Sequence, residues 1–185
     1  ARVGTGDIND ISKTGGYSNP VVAWDFAQFG DVILATNGTD KIQKYSINEP
    51  ADNFKDIAEA PICNTIAIVR DFVFAGYCDS DSHKVQWSDL NNENVWDSSD
   101  TNQADFQILP SGGAVKAITG GEFALILQEK AVTRASYIGT PLIFQFDQIS
   151  DNTGCLTGKS AIQYNGVTYF LSESGFMACD GSKVS

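Results

Sequence analysis

The sequence predicts an all-β chain: a β-propeller of antiparallel four-stranded blades, about four repeat units here, open to being part of a larger ring. Three observations predict it. Short stretches alternate apolar and polar residues, as half-buried strands do. Two-residue turn signals separate them. The resulting strand–turn–strand grammar recurs four times, with Gly30, Asp71, Gly121 and Gly166 at 41, 50 and 45 residues from one another, the period of propeller blades. A β-sandwich, which also strings short strands between regular turns, is the alternative.

The first unit reads "VVAWDFAQFGDVILATNGTDKIQKYSI", with turns at Phe29-Gly30 and Asn37-Gly38. The second, "CNTIAIVRDFVFAGYCDSDSHKVQWSDL", turns at Arg70-Asp71 and around Asp79 to Ser82. The third, "AVKAITGGEFALILQEKAVTRASYIG", turns at Gly120-Gly121 and again at Glu129-Lys130. Its Ala, Leu, Glu, Gln and Lys residues favour a helix by propensity. Its position in the repeat predicts a hairpin over 121–139 instead. The fourth unit, "KSAIQYNGVTYFLSESGFMACDG", turns at Asn165-Gly166 and at Glu173-Ser174-Gly175.

An outer strand is expected at "INDI" (8–11), "FKDI" (54–57) and "VWDS" (95–98), each with an apolar residue two before an Asp. Residues 1–185 thus read as a single propeller domain or a fragment of one. Residues 1–14 supply an outer strand to a preceding or closing blade, and 160–183 supply three inner strands.

Composition agrees. Hydrophobic residues make up 42% and charged residues 19%, a balance that supports a packed core rather than disorder. Twelve basic against 23 acidic residues give a net charge of −11. No cluster of Lys and Arg is available to neutralise phosphates, so tight nucleic-acid binding is not expected. No apolar run approaches the ~20 residues of a membrane-spanning helix, and no export leader is legible. Cys63, Cys78, Cys155 and Cys179 are widely spaced without a C-x-x-C pair, which predicts buried free thiols rather than a zinc site or a disulfide framework.

Candidate chemistry is sparse. Asp79, Asp81 and His83 alternate in "DSDSHK" as a loop cation site would require, yet the calcium-loop pattern is incomplete, so a solvated hairpin loop is expected. "SDLNNENVW" (88–96) departs from an Asp-box turn by lacking its glycine. Asn37-Gly38-Thr39 is a formal glycosylation sequon and also a hairpin turn, the preferred reading. Trp24, Trp87 and Trp96 sit in strand patterns, which predicts core packing over sugar stacking. No elbow, phosphate loop or dinucleotide fingerprint is present. The sequence therefore predicts no catalytic residues, no metal site and no cofactor.

The succession "DISKTGGYS", "WDFAQFGDVILATNG", "VQWSDLNNENVW", "QADFQILPSGG", "GGEFALILQEKAVTRASYIGTPLIFQFDQIS", "GCLTGKSAIQYNGVTYFLSESGF" and "CDGSKV" resembles tail proteins of short-tailed bacteriophages, of the nozzle or packaged-DNA-stabilisation type. The run from Gly120 to Phe146 is the most specific part. The resemblance implies a non-enzymatic β-propeller in a tail tube. It also implies partnership with copies of itself in a ring and with other tail proteins, transient passage of DNA, and a place in the virion. Family members are usually several hundred residues long. The competing expectation is a receptor- or glycan-binding propeller; an intracellular peptide-binding propeller would need the G-H…W-D signature, which is missing.

Overall fold

A computed structural model describes residues 10–19, 23–49 and 52–185. Four antiparallel sheets follow one another along the chain, each with its strands side by side in chain order. The first holds β1 (Asp25–Phe29), β2 (Val32–Thr36), β3 (Gln43–Ser46) and β4 (Lys55–Asp56). The second holds β5 (Cys63–Val69), β6 (Phe72–Cys78), β7 (Asp81–Trp87) and β8 (Asp105–Ile108). The third holds β9 (Val115–Thr119), β10 (Phe123–Gln128), β11 (Val132–Gly139) and β12 (Ile143–Ser150). The fourth has three strands, β13 (Ile162–Tyr164), β14 (Val167–Ser172) and β15 (Gly175–Cys179). Among the described residues the helical content is one 3₁₀ turn, Gly158–Ser160.

Turn chemistry sets the registers. Tyr164 opposite Val167 leaves Asn165 and Gly166 as the loop, with φ of 49° and 76°, the doubly positive type I′ geometry that Asn-Gly favours. Val69 opposite Phe72 leaves Arg70-Asp71, as expected. Phe29 opposite Val32 places the first turn at Gly30-Asp31, one residue later than the sequence indicated. The positive φ of Gly30, 55°, is the reason: the residue that tolerates it takes the first central position.

The helix-prone 121–139 stretch is a hairpin, with Phe123 opposite Ser136 and Leu127 opposite Val132. Packing decides this. The sheets stack face to face, and three apolar cores lie between successive pairs. Leu34, Ile42 and Ile57 meet Ile66, Val73, Ala75 and Trp96 between sheets one and two. Phe72, Phe74 and Trp87 meet Ala124, Ile126 and Phe144 between sheets two and three. Leu125, Leu127 and Val132 meet Cys155, Phe170 and Cys179 between sheets three and four. In β10, Ala124 and Ile126 therefore point one way and Leu125 and Leu127 the other, all fully buried. A strand covered on both faces reads as a continuous apolar run, which explains "ALIL" and, in β6, "FVFA".

Two outer strands differ from the sequence reading. "FKDI" does contribute β4, but "VWDS" is not a strand. Trp96 is 1% exposed and lies in the core between sheets one and two. Its Nε1 donates to the Glu93 carbonyl at 2.8 Å, and its own carbonyl accepts from Gln86 Nε2 at 3.0 Å. Burying the indole commits this backbone to a loop, so Asp105–Ile108 takes the edge beside β7. The outer strand of the third sheet, β12, carried no signal in the repeat grammar, although it is eight residues long. The strand expected within residues 1–14 falls mainly outside the described residues. Its described part lies along the first sheet, where the Ile11 carbonyl accepts from Phe54 N–H at 2.9 Å and Lys13 Nζ meets Asp56 at 2.9 Å. Beyond β15, Ser185 and Ala178 exchange backbone hydrogen bonds at 2.8 and 2.9 Å, and Val184 bridges to Cys179, so these residues lie beside β15 in the fourth-strand position. The turn between them is held by Asp180, whose carboxylate accepts from Ser182 Oγ, Ser182 N and Lys183 N and is held down to a pKa of about 2 by those bonds.

Candidate functional site

The first strands of neighbouring sheets, β1, β5 and β9, touch one another, and the 3₁₀ turn at Gly158–Ser160 reaches β9. They converge on an axial hollow of about 460 Å³ at the end where these strands begin. Asp25, Asn64, Thr65, Lys116 and Lys159 bring polar groups to it. Asp25 is the hub. Its Oδ2 accepts from Thr65 Oγ1 at 2.9 Å and from Ile66 N at 3.0 Å, and its Oδ1 lies 3.3 Å from Lys159 Nζ. Lys159 Nζ also donates to the Trp24 carbonyl at 3.1 Å, and Thr65 Oγ1 accepts from Ile118 N at 3.4 Å.

One polar chain thus joins three sheets and the turn leading into the fourth: Asp25 from the first, Thr65 from the second, Ile118 from the third and Lys159 from the 3₁₀ turn. Lys116 is held by Glu129 at 2.8 Å. Gly158 is required for the closeness of this junction, because a Cβ there would sit 2.0 Å from the Lys116 carbonyl oxygen. Chemically, the arrangement ties sheets together; its carboxylate and ammonium groups already serve each other. The sequence analysis did not single out Asp25, Thr65 or Lys159. They lie up to 134 residues apart, and no local motif marks a contact made only by the stacking of successive sheets.

The residues that were singled out fall elsewhere. His83 and Asp81 belong to β7 rather than to a loop, because the turn is Asp79-Ser80, both at positive φ. Asp79 is engaged by Lys84 Nζ at 3.0 Å and by Ile62 N at 3.1 Å, whereas Asp81 Oδ1 accepts from His83 N at 2.9 Å. Among the described residues no group of three or more His, Cys, Asp or Glu is arranged to hold a metal ion. His83→Ala is expected to change unfolding free energy by less than about 0.5 kcal/mol, with the same midpoint in zinc and in chelator. A metal-dependent midpoint lost in the variant would show that these groups do bind a cation.

Asn37 is buried. Its Oδ1 accepts from Thr39 N and Asp40 N at 3.0 and 2.8 Å, and its Nδ2 donates to Asp40 Oδ2 at 2.8 Å. The sequon is therefore an Asx turn with its amide nitrogen already used. In the 88–96 segment, Ser88 Oγ accepts from Val73 N at 3.0 Å, and Asp89 Oδ1 accepts from Gln103 N at 2.8 Å, which fixes a loop rather than a site. Trp87 and Trp96 are core residues. Trp24 differs: it lines an open hollow of about 320 Å³ with Ile11, Tyr17, Phe26, Ala35 and Phe54, and its ring lies 4.7 Å from that of Tyr17, edge on. All four cysteines are free and buried. Burial pushes the Cys63 thiol up to about 12 and raises Cys78, Cys155 and Cys179 as well. They are held as neutral thiols, without the thiolate that nucleophilic or metal chemistry needs.

No protein-family model and no curated protein sequence matches the chain. Among solved structures it is similar to "Dihydro-heme d1 dehydrogenase NirN in complex with DHE", with a TM-score of 0.55 and 11% sequence identity. The match covers 88% of this chain and 35% of that one, so the chain spans about a third of its length. At this identity the likeness concerns the fold, and with the stacked four-stranded sheets it identifies a β-propeller architecture.

Proposed function

We propose that this chain is a structural component of a bacteriophage tail, a nozzle or tail-tube protein that forms a ring, retains packaged DNA and conducts it during ejection. In this reading it is not an enzyme, its partners are copies of itself and other tail proteins, and it resides in the virion. The observation that carries the reading is the use of polar groups at the axis: Asp25, Thr65 and Lys159 bind sheet to sheet, as a scaffold requires. The sequence resemblance supplies the tail assignment. The likeness to a dehydrogenase rests on fold alone and brings no activity with it.

Charge supports the conduit. The turns joining first and second strands carry Asp31, Asp71 and Glu122, all exposed, against Arg70. With a net charge of −11, such a rim repels phosphates, and release of counterions by basic side chains, which drives DNA binding, has little to act through. The glycan-binding alternative has one observation in its favour, the hollow beside Trp24. Its lining is mostly aromatic and aliphatic, with Ser12, the Tyr17 hydroxyl and the Trp24 indole N–H as its polar side-chain groups, whereas sugar recognition needs several convergent polar groups.

The test is a titration of labelled duplex DNA at low and moderate salt. The protein is expected not to bind, and a variant with Asp31, Asp71 and Glu122 changed to Lys is expected to bind weakly and salt-sensitively. Tight, salt-sensitive binding by the unmodified protein would overturn the conduit reading.

A further inference from the structure

Asn-Gly occurs twice in the chain, at Asn37-Gly38 and at Asn165-Gly166. The dipeptide carries a reactivity as well as a turn preference. Without a Cβ to shield it, the glycine nitrogen can attack the carboxamide carbon of the preceding asparagine. The fold places the two copies in opposite surroundings.

The first copy is locked. Asn37 is 6% exposed, its Oδ1 accepts from Thr39 N and Asp40 N, and its Nδ2 donates to Asp40 Oδ2. The glycine is covered as well, since a Cβ on Gly38 would run into the Asn64 carboxamide. Bringing the Gly38 nitrogen onto Asn37 Cγ would break bonds that are shielded from water, so no solvent bond replaces them at once.

The second copy is open. Asn165 and Gly166 are both exposed, and nothing lies within 4 Å of a Cβ built on Gly166. Among the described residues neither the Asn165 carboxamide nor the Gly166 N–H has a hydrogen-bond partner. This openness belongs to the turn and not to the place of sheet four in the stack. Arg70-Asp71, the same two turn positions in sheet two, are also exposed, although sheet two is packed on both faces. Arg70 and Asn165 share the positive φ of the first position, 52° and 49°.

We propose that Asn165 is a site of spontaneous deamidation in the folded protein, converting to aspartate and isoaspartate while Asn37 stays an amide. Hydroxide takes the proton from Gly166 N, and that nitrogen attacks Asn165 Cγ. The N–Cγ bond forms as the Cγ–Nδ2 bond breaks, and the amide nitrogen leaves as ammonia. Water then opens the cyclic imide at either carbonyl. The balance is one water consumed and one ammonia released, with no oxidant and no enzyme. The product adds a carboxylate to the one turn between first and second strands that lacks an acid, since the other three carry Asp31, Asp71 and Glu122. Isoaspartate also inserts a methylene into the backbone of a loop that is two residues long, between Tyr164 and Val167. The inference stands whether or not the protein belongs to a phage tail.

Peptide mapping by mass spectrometry, on the full chain aged at mildly alkaline pH, reads amide-to-acid conversion at each asparagine. Asn165 is expected to convert, and to do so faster as pH rises. Asn37 is expected to convert at least about tenfold more slowly, a factor equal to about 1.4 kcal/mol, the scale of one hydrogen bond given up. Ageing the same chain in denaturant removes the difference in surroundings, and the two rates are then expected to converge. The proposal is overturned if Asn37 converts in the folded chain as fast as Asn165. It is equally overturned if Asn165 stays an amide in the folded chain while converting in denaturant, which would show that the turn holds Gly166 N away from Cγ. Failure of Asn165 to convert under either condition would overturn it too.

Discussion

Phe74→Ala is expected to lower the unfolding free energy by about 3–5 kcal/mol, the range for truncating a fully buried aromatic. Phe74 is 0% exposed at the centre of the largest core, between sheets two and three. Its ring stacks on Trp87 at 5.6 Å and meets Phe144 edge on at 4.8 Å. Phe144 in turn meets Phe72 at 5.1 Å and Tyr137 at 5.7 Å. Removing the ring leaves a cavity walled by strands of two sheets, and hydrogen-bonded strands collapse poorly into such a space. Urea unfolding followed by tryptophan fluorescence measures the loss, with Trp87 reporting from the cavity wall. A loss under about 1 kcal/mol would mean that sheets two and three do not share this core.

Gly120→Ala is expected to cost about 3 kcal/mol, the upper part of the usual range for forcing extra atoms into a packed site. A Cβ at Gly120 would lie 1.8 Å from the Ile68 carbonyl oxygen and 2.7 Å from its carbon. The obstacle is backbone, and that backbone is committed. Gly121 N donates to the same Ile68 oxygen at 2.9 Å, and Arg70 N donates to the Gly121 carbonyl at 2.8 Å. The methyl group can enter only if these bonds between sheets two and three open. Gly30→Ala is the control: nothing lies within 4 Å of a Cβ there, and its cost is confined to a positive φ of 55°. Chemical denaturation of both variants separates the two causes. Equal losses would show that the close approach at Gly120 is not what makes the residue necessary.

This glycine pair shows how far the sequence could be read. Gly120-Gly121 was legible as a break between two strands, because glycine at a repeat interval marks a turn whatever surrounds it. That Gly120 is needed for contact with the preceding sheet was not legible, since Ile68 lies 52 positions away in the chain. The 95–98 stretch shows the same limit from the other side. Its apolar-then-Asp spacing matched that of a true outer strand, but Trp96 gains more by filling a core than its backbone gains by pairing at an exposed edge.

The sequence by itself determined the inner strands and most of the turns, because alternation and turn residues are local properties carried by neighbouring side chains. It also determined the repeat period, the acidic charge and the neutral burial of the cysteines. Only the tertiary structure decided which sheet faces are covered twice, which strand takes each outer edge, and how Asp25, Thr65 and Lys159 meet at the axis. Those outcomes depend on the curvature of successive stacked sheets, which brings together residues that no local pattern relates.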